Sequence, residues 1–246
     1  MRLLLINANT SLSITDLVAG AARALVPPGT AIKAATGRFG ARYVATRAAY
    51  AVAAHATLDA YAEHGADVDA VVIACFGDPG LFALRELAPV PVTGMAEAAC
   101  LAAARRGRFA IVTGGAGWVP MLTEFVAQLG LSDRLAGIRA VAPSGAAIAA
   151  DPEGSLAILA EACRTAATQD GADVVILGGA GLVGLAPRLA AHVPVPLIDG
   201  LAASLDHIHA VAANDARSAA EFAPVESVGL SPALAGLLAG RPVPAK

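Results

Sequence analysis

Cys75 is the residue best placed to do chemistry in this chain. It follows the β-branched run Val71-Val72-Ile73-Ala74 and precedes the turn sequence Phe76-Gly77-Asp78-Pro79-Gly80. A buried parallel strand has this pattern when it delivers one side chain to the carboxyl edge of a sheet, where ligands of open α/β sheets bind. A thiol at that edge suits proton transfer or nucleophilic attack once ionised. It equally suits plain packing, because free cysteine is among the most buried residue types. Cys100 and Cys163 fall within alanine-rich helical stretches and read as core. The three cysteines form no C-x-x-C pair, and His55, His64, His192, His207 and His209 show no metal-ligand spacing. Neither a metal site nor a disulfide framework is expected.

The elements that must position Cys75 alternate between strand and helix. Strands are expected at Arg2 to Ile6, Thr30 to Ala35, Asp69 to Ala74, Pro89 to Val92, Phe109 to Thr113, Gly137 to Val141, Val174 to Leu177 and Val195 to Asp199. Helices are expected between them, among them Tyr43 to His64, Met95 to Arg105, Val119 to Leu129 and Ser155 to Asp170. This alternation predicts an α/β fold with mostly parallel sheet.

The order of elements occurs twice. Arg2 to Asn7 matches Arg108 to Thr113, Asp69 to Gly77 lies over Asp173 to Gly181, and Pro89 to Val92 answers Pro194 to Leu197, at offsets of 104 to 106 residues. Two pseudo-symmetric α/β lobes follow, 1–100 and 101–215, with the site in the cleft between their strand ends and 216–246 as a C-terminal helical segment and tail. The residue that the repeat sets opposite Cys75 is Gly179.

At 246 residues, 57% hydrophobic and 15% charged, the chain has ample material for a core. A net charge of −3 without a basic cluster argues against nucleic acid as partner. No apolar run approaches a membrane span, and the start reads as a strand and not a secretory signal, so a cytoplasmic protein is expected. Gly114-Gly115-Ala116-Gly117 follows a strand but lacks the Walker lysine and a full G-x-G-x-x-G, which argues against a nucleotide site.

Several segments carry a family resemblance over nearly the whole chain. They are Ile6-Asn7-Ala8-Asn9-Thr10-Ser11, Phe39-Gly40-Ala41-Arg42-Tyr43, Cys75-Phe76-Gly77-Asp78-Pro79-Gly80 and Leu177-Gly178-Gly179-Ala180-Gly181. With them the chain resembles the aspartate/glutamate/hydantoin racemase superfamily, most of all its hydantoin and allantoin racemase branch. The resemblance implies cofactor-independent chemistry at a carbon next to a carbonyl, on a small hydantoin, amino-acid or carboxylate substrate. It implies two thiols flanking that carbon, one removing a proton and the other returning one from the opposite face. It also makes a homo-oligomer an expected state. Cys75 matches the first thiol, whereas Gly179 stands where the branch carries its second.

That departure leaves several functions open. One is a racemase or epimerase in which water or a group distant in sequence serves the second face. Another is a decarboxylase of the arylmalonate type, which needs one proton donor only. A third is an isomerase or hydrolase with Cys75 as nucleophile, and a fourth is a small-ligand binding protein without catalysis. The expected ligand contacts are Asn9, Thr10 and Ser11 after the first strand and Thr113 and Gly114 in the repeat. The N–H groups of Phe76 and Gly77, and of Gly179 and Ala180, are candidates for an oxyanion pocket. Asn9, Thr10 and Ser11 equally suit an Asx turn and helix cap. Asp78 reads as a turn or cap residue, Asp199 as a substrate contact or a cap, and Phe39, Tyr43 and Trp118 as pocket or core. A helix starting near Leu81 is expected to lower the pKa of Cys75.

Overall fold

The computed structural model describes residues 1–213 and 223–243. Its strands are β1 (Arg2–Asn7), β2 (Ala31–Thr36), β3 (Ala70–Ile73), β4 (Val92–Gly94), β5 (Phe109–Gly114), β6 (Leu135–Val141), β7 (Val174–Gly178) and β8 (Leu197–Asp199). Its helices are α1 (Leu12–Leu25), α2 (Arg47–His64), α3 (Leu81–Leu87), α4 (Met95–Ala104), α5 (Trp118–Gln128), α6 (Gly145–Ala150), α7 (Pro152–Thr168), α8 (Ala186–Leu189), α9 (Gly200–Ala212) and α10 (Pro232–Leu238). No described helix is long and apolar enough to cross a membrane.

Two four-stranded sheets, ordered β2-β1-β3-β4 and β6-β5-β7-β8, carry the fold, and every strand pair is parallel. The inner strands β3, β5 and β7 are buried throughout, and β1 from its second residue on, whereas edge strand β2 is largely open. That is why the inner strands read as unbroken apolar runs. The amino ends of both inner pairs are pinned by the same device. Asp69 accepts the Arg2 backbone N–H at 2.6 Å, and Asp173 accepts that of Arg108 at 2.8 Å.

In each sheet the strand order reverses at the inner pair, between β1 and β3 and between β5 and β7. These switch points open crevices at the carboxyl ends of the strands, which is where the two sheets present their loops.

The lobes share one core. Phe109, Ile111, Val174 and Ile176 face the cluster built on the first sheet, while their alternating neighbours Ala110, Val112, Val175 and Leu177 face a second cluster under α7. Helix α4 packs on β7, and α9 crosses back onto β3 and β4. Helix α10 packs on α2, so part of the C-terminal segment lies against the first lobe. The boundary expected at 215 falls outside the described residues.

Some expected bounds shift for local reasons. Helix α2 starts at Arg47 and not Tyr43, because the Thr46 hydroxyl caps it by accepting the Ala49 N–H at 3.2 Å. Helix α7 starts at Pro152, capped by Asp151, and the short α6 before it has no counterpart in the sequence reading. Helix α1 starts after Ser11, which gives it no side-chain cap; the Thr15 hydroxyl sits 2.7 Å from that of Thr36 instead.

The two lobes cap equivalent helices differently. In the second lobe Asp199, at the end of β8, accepts the Leu201 and Ala202 N–H groups at the start of α9. The matching residue ending β4 is Gly94, and α4 is capped instead by Asp78, which accepts the Ala96 and Glu97 N–H groups at 2.9 and 2.7 Å. A Cβ on Gly94 would lie 2.0 Å from the Asp78 carboxyl carbon, although the backbone there, φ −129 and ψ 168, suits any residue. Gly94→Ala is therefore expected to displace the cap and cost about 3 kcal/mol, a fall of roughly 5–10 °C in Tm for a chain of this size. Gly20→Ala, on an α1 position with nothing within 4 Å of the new Cβ, is expected to raise Tm by roughly 2 °C through the lower helix cost of alanine. Thermal denaturation of both variants checks the contrast.

Candidate active site

The chain delivers Cys75 as its spacing predicts. The Ala74 N–H continues the ladder to the Ile6 carbonyl, and then the Asp78 N–H donates to the Cys75 carbonyl at 2.9 Å and closes a turn. Gly77, Asp78 and Gly80 take φ values of 106°, 53° and 86° in that turn, conformations natural to glycine and tolerated by aspartate. Asp78 is 1% exposed. Its burial pushes the carboxyl up to about 8, against the pull of its two backbone N–H partners.

The Cys75 thiol does not gain acidity from α3. Burial, with a smaller contribution from the Asp78 carboxylate, pushes it up to about 12. Helix α3 has seven residues, and desolvation of a thiolate outweighs what its amino end offers. At neutral pH the ligand-free protein therefore holds Cys75 as a thiol, the proton-donating form.

Around Cys75 the two switch points form one cleft of about 450 Å³ counted out to solvent, lined from the first lobe by Asn9, Ile14, Tyr43, Val44, Cys75 and Phe76. The second lobe contributes Thr113, Gly114, Trp118, Gly145, Ala146, Gly178, Gly179, Ala180 and Gly181. The Phe76 ring reaches across the cleft floor: a Cβ on Gly178 would lie 2.7 Å from it. The ends of β3 and β7 thus face each other through an aromatic ring resting on a glycine.

Hydrogen-bonding groups sit on both walls. The Asn9 carboxamide oxygen accepts from the Ser11 N–H at 2.8 Å and from Asn7 Nδ2 at 3.0 Å. A backbone N–H only donates, so the Asn9 NH2 is the end left for a ligand. Thr113 as a residue is 3% exposed, and its hydroxyl has no side-chain hydrogen bond among the described residues. Tyr43 donates its O–H to the Gly114 carbonyl at 2.8 Å and accepts the Gly145 N–H at 3.3 Å. The lining contains no aspartate, glutamate, histidine, lysine or arginine.

The cleft brings together Asn9, Cys75, Phe76, Thr113, Gly114, Gly179 and Ala180 of the expected site. It leaves out Thr10, Ser11 and Gly77. The Thr10 N–H donates to the Ala41 carbonyl and so tethers the loop that carries Tyr43. The Ser11 hydroxyl lies 3.0 Å from that of Ser13, away from the cleft, and the Gly77 carbonyl accepts the Tyr50 O–H at 2.7 Å. Asp78 and Asp199 act as caps. Tyr43 and Trp118 line the cleft, whereas Phe39 packs edge-on to His55. Gly145 and Ala146 were invisible to sequence reasoning, since they belong to α6.

A model of the Asp/Glu/Hydantoin racemase family matches residues 3–208. The chain belongs to this family. It is similar to hydantoin racemase of Paenarthrobacter aurescens, 38% identical over 207 residues that cover 83% of this chain and 88% of that one. The crystal structure of allantoin racemase from Pseudomonas fluorescens covers 100% of this chain and 99% of its own, at 30% identity and a TM-score of 0.85. Arylmalonate decarboxylase shares the fold at 17% identity and a TM-score of 0.61, covering 89% of this chain and 95% of its own. Gly179 is thus a glycine lining the cleft of a racemase-family fold, at the strand end equivalent to that of Cys75.

The state of Cys75 can be titrated directly. With its pKa pushed up to about 12, the thiolate fraction is small at pH 7 and grows tenfold per pH unit well into the alkaline range. Iodoacetamide labelling of Cys75 in the ligand-free protein, followed by peptide mass spectrometry, is expected to rise log-linearly from pH 7 to about pH 10. A plateau near pH 8 would show an acidified thiol instead.

Proposed function

We propose that the protein is a cofactor-independent racemase that moves the proton on a carbon alpha to a carbonyl, with Cys75 as a proton carrier, on a neutral cyclic amide of the hydantoin or allantoin type. The observation that carries this reading is the cleft itself. It sets one thiol at the switch point of the first sheet among hydrogen-bonding groups from both lobes and without a charged lining side chain. Family membership and whole-length similarity to hydantoin and allantoin racemases support the reaction class.

The neutral lining favours the substrate class. Moving a free carboxylate out of water into such a cleft costs several kcal/mol unless a cation or several donors meet it. A hydantoin ring carries no formal charge and matches its carbonyl and N–H groups to Asn9, Thr113 and backbone amides. Ile14, Val44 and Trp118 add apolar wall for a neutral ring substituent. Negative charge appears on the substrate only as the enolate forms, and donors placed for that moment supply catalysis rather than mere binding.

One observation favours a second reading. A lone thiol that rests protonated, opposite a glycine, is the equipment of a decarboxylase, where loss of carbon dioxide makes the carbanion and the thiol protonates one face. Its substrate would be a malonate dianion, which the neutral cleft disfavours.

Exchange with solvent separates the two. In deuterated water, single enantiomers of hydantoins with an apolar substituent are expected to lose optical rotation and gain α-deuterium together, while disubstituted malonates release no carbon dioxide above buffer. Cys75→Ala is expected to lower racemisation by roughly 10³-fold, within the range that one positioned acid/base supplies. Carbon dioxide release with a single product enantiomer would transfer the assignment to the decarboxylase.

A further inference from the structure

Racemisation needs protons to leave and arrive on opposite faces of one carbon, and Gly179 carries no group for the second face. Among the cleft-lining residues only Cys75 and Tyr43 have a titratable side chain. They belong to different walls. Cys75 ends a strand of the first lobe. Tyr43 comes from the loop after β2, but its hydroxyl is seated on second-lobe backbone, between the Gly114 carbonyl and the Gly145 N–H. Gly145 in turn touches the loop that holds Gly179: a Cβ on Gly181 would lie 2.0 Å from the Gly145 carbonyl oxygen. The phenol is thus seated on second-lobe backbone, the lobe that also brings Gly179 to the cleft.

Resting on the racemase assignment above, we propose that Tyr43 is the proton carrier of the second face. In one direction the Cys75 thiolate forms an S–H bond with the α-proton, and the C–H electron pair moves into the neighbouring carbonyl as an enolate. The enolate carbon then takes the proton of the Tyr43 O–H from the other face, which leaves a phenolate. In the other direction the phenolate removes the proton and the Cys75 thiol returns one. One proton moves across the carbon per turnover; the form of the cleft that turns over is the one that has lost a single proton, and its thiol–phenolate and thiolate–phenol arrangements interconvert by exchange with water.

The phenol oxygen has one acceptor and one donor beside it. Its O–H has a carbonyl to donate to while it waits. The Gly145 N–H donates to its oxygen at 3.3 Å. The loop is held in place by the Thr10 N–H bond to the Ala41 carbonyl, so the hydroxyl is tethered from both lobes. A thiol that rests protonated also requires the base that starts one direction to lie elsewhere in the cleft.

Gly179 provides a rescue test. Its backbone is extended, φ 161 and ψ 138, and within 4 Å a new Cβ meets only the flexible end of Leu182, at 2.9 Å and beyond. A cysteine is therefore accommodated there. The experiment follows each enantiomer of an apolar-substituted hydantoin in deuterated water with the full-length protein, its Tyr43→Phe and Cys75→Ala variants, and the Tyr43→Phe/Gly179→Cys double variant, with Tm as the check on folding. Tyr43→Phe is expected to lose racemisation by at least about 10²-fold. It should still exchange the α-proton of the enantiomer whose hydrogen faces Cys75, with retention, and the double variant should recover at least tenfold in racemisation. Equal losses of exchange for both enantiomers without rescue would mark Tyr43 as a structural tether and overturn the proposal. Racemisation by Tyr43→Phe within twofold of the parent would overturn it as well, while leaving the racemase assignment standing. A parent protein that neither racemises nor exchanges any hydantoin would remove that assignment and this proposal with it.

Discussion

Asp78 joins the site to the scaffold. Three residues after Cys75, its carboxyl group takes the Ala96 and Glu97 N–H groups in the first turn of α4, a helix that the second sheet also rests on. Those amides would otherwise be buried without partners, at a cost of about 1–3 kcal/mol each. The turn that aims Cys75 and the packing between the lobes therefore depend on the same pair of hydrogen bonds. Beneath them Glu97 accepts from Arg85 at 2.6 Å and from Thr93 at 2.9 Å, so the buried polar groups around the α4 start are mutually satisfied.

The second lobe solves the same problem with the carboxylate on the other strand, and Asp199 also accepts the Gly184 N–H of the loop after β7 at 2.6 Å. Asp199 caps α9 from the end of β8, and the repeat counterpart of Asp78 is Leu182, whose side chain lies over Gly179. A duplicated frame thus carries an unduplicated site: a cap beside a thiol on one side, an apolar side chain beside a glycine on the other. Chemistry at a stereocentre tolerates this asymmetry so long as each face of the substrate meets some group able to hold a proton.

Much of this was legible in the sequence. Inner parallel strands are buried on both faces and so appear as unbroken apolar runs, which exposed the eight strands and the repeat. Cys75, Phe76, Thr113 and Gly179 were found through their places at strand ends. What escaped depends on contacts distant in sequence. Tyr43 meets Gly114 across 71 residues, and no local pattern tells a cleft-lining tyrosine from a core one. Helix α6, Gly-Ala-Ala-Ile-Ala-Ala, is too short to show a period. Thr10 and Ser11 share polarity with Asn9, but only the fold decides which side chain turns to the cleft. The acidity of Cys75 was misjudged because helix position is visible in sequence and desolvation is not.

The alternation along β5 and β7 has a further consequence. Phe109, Ile111, Val174 and Ile176 belong to the core of the first lobe, so the inner face of the second sheet is completed by residues from the opposite half of the chain. The second half buries one face of its sheet within itself and the other only against the first lobe, and separating the lobes by even a few ångströms would open that shared face to water. The internal twofold therefore relates two halves that meet across a common core. The cleft opens directly above a core that both halves of the chain build, so its two walls share one foundation.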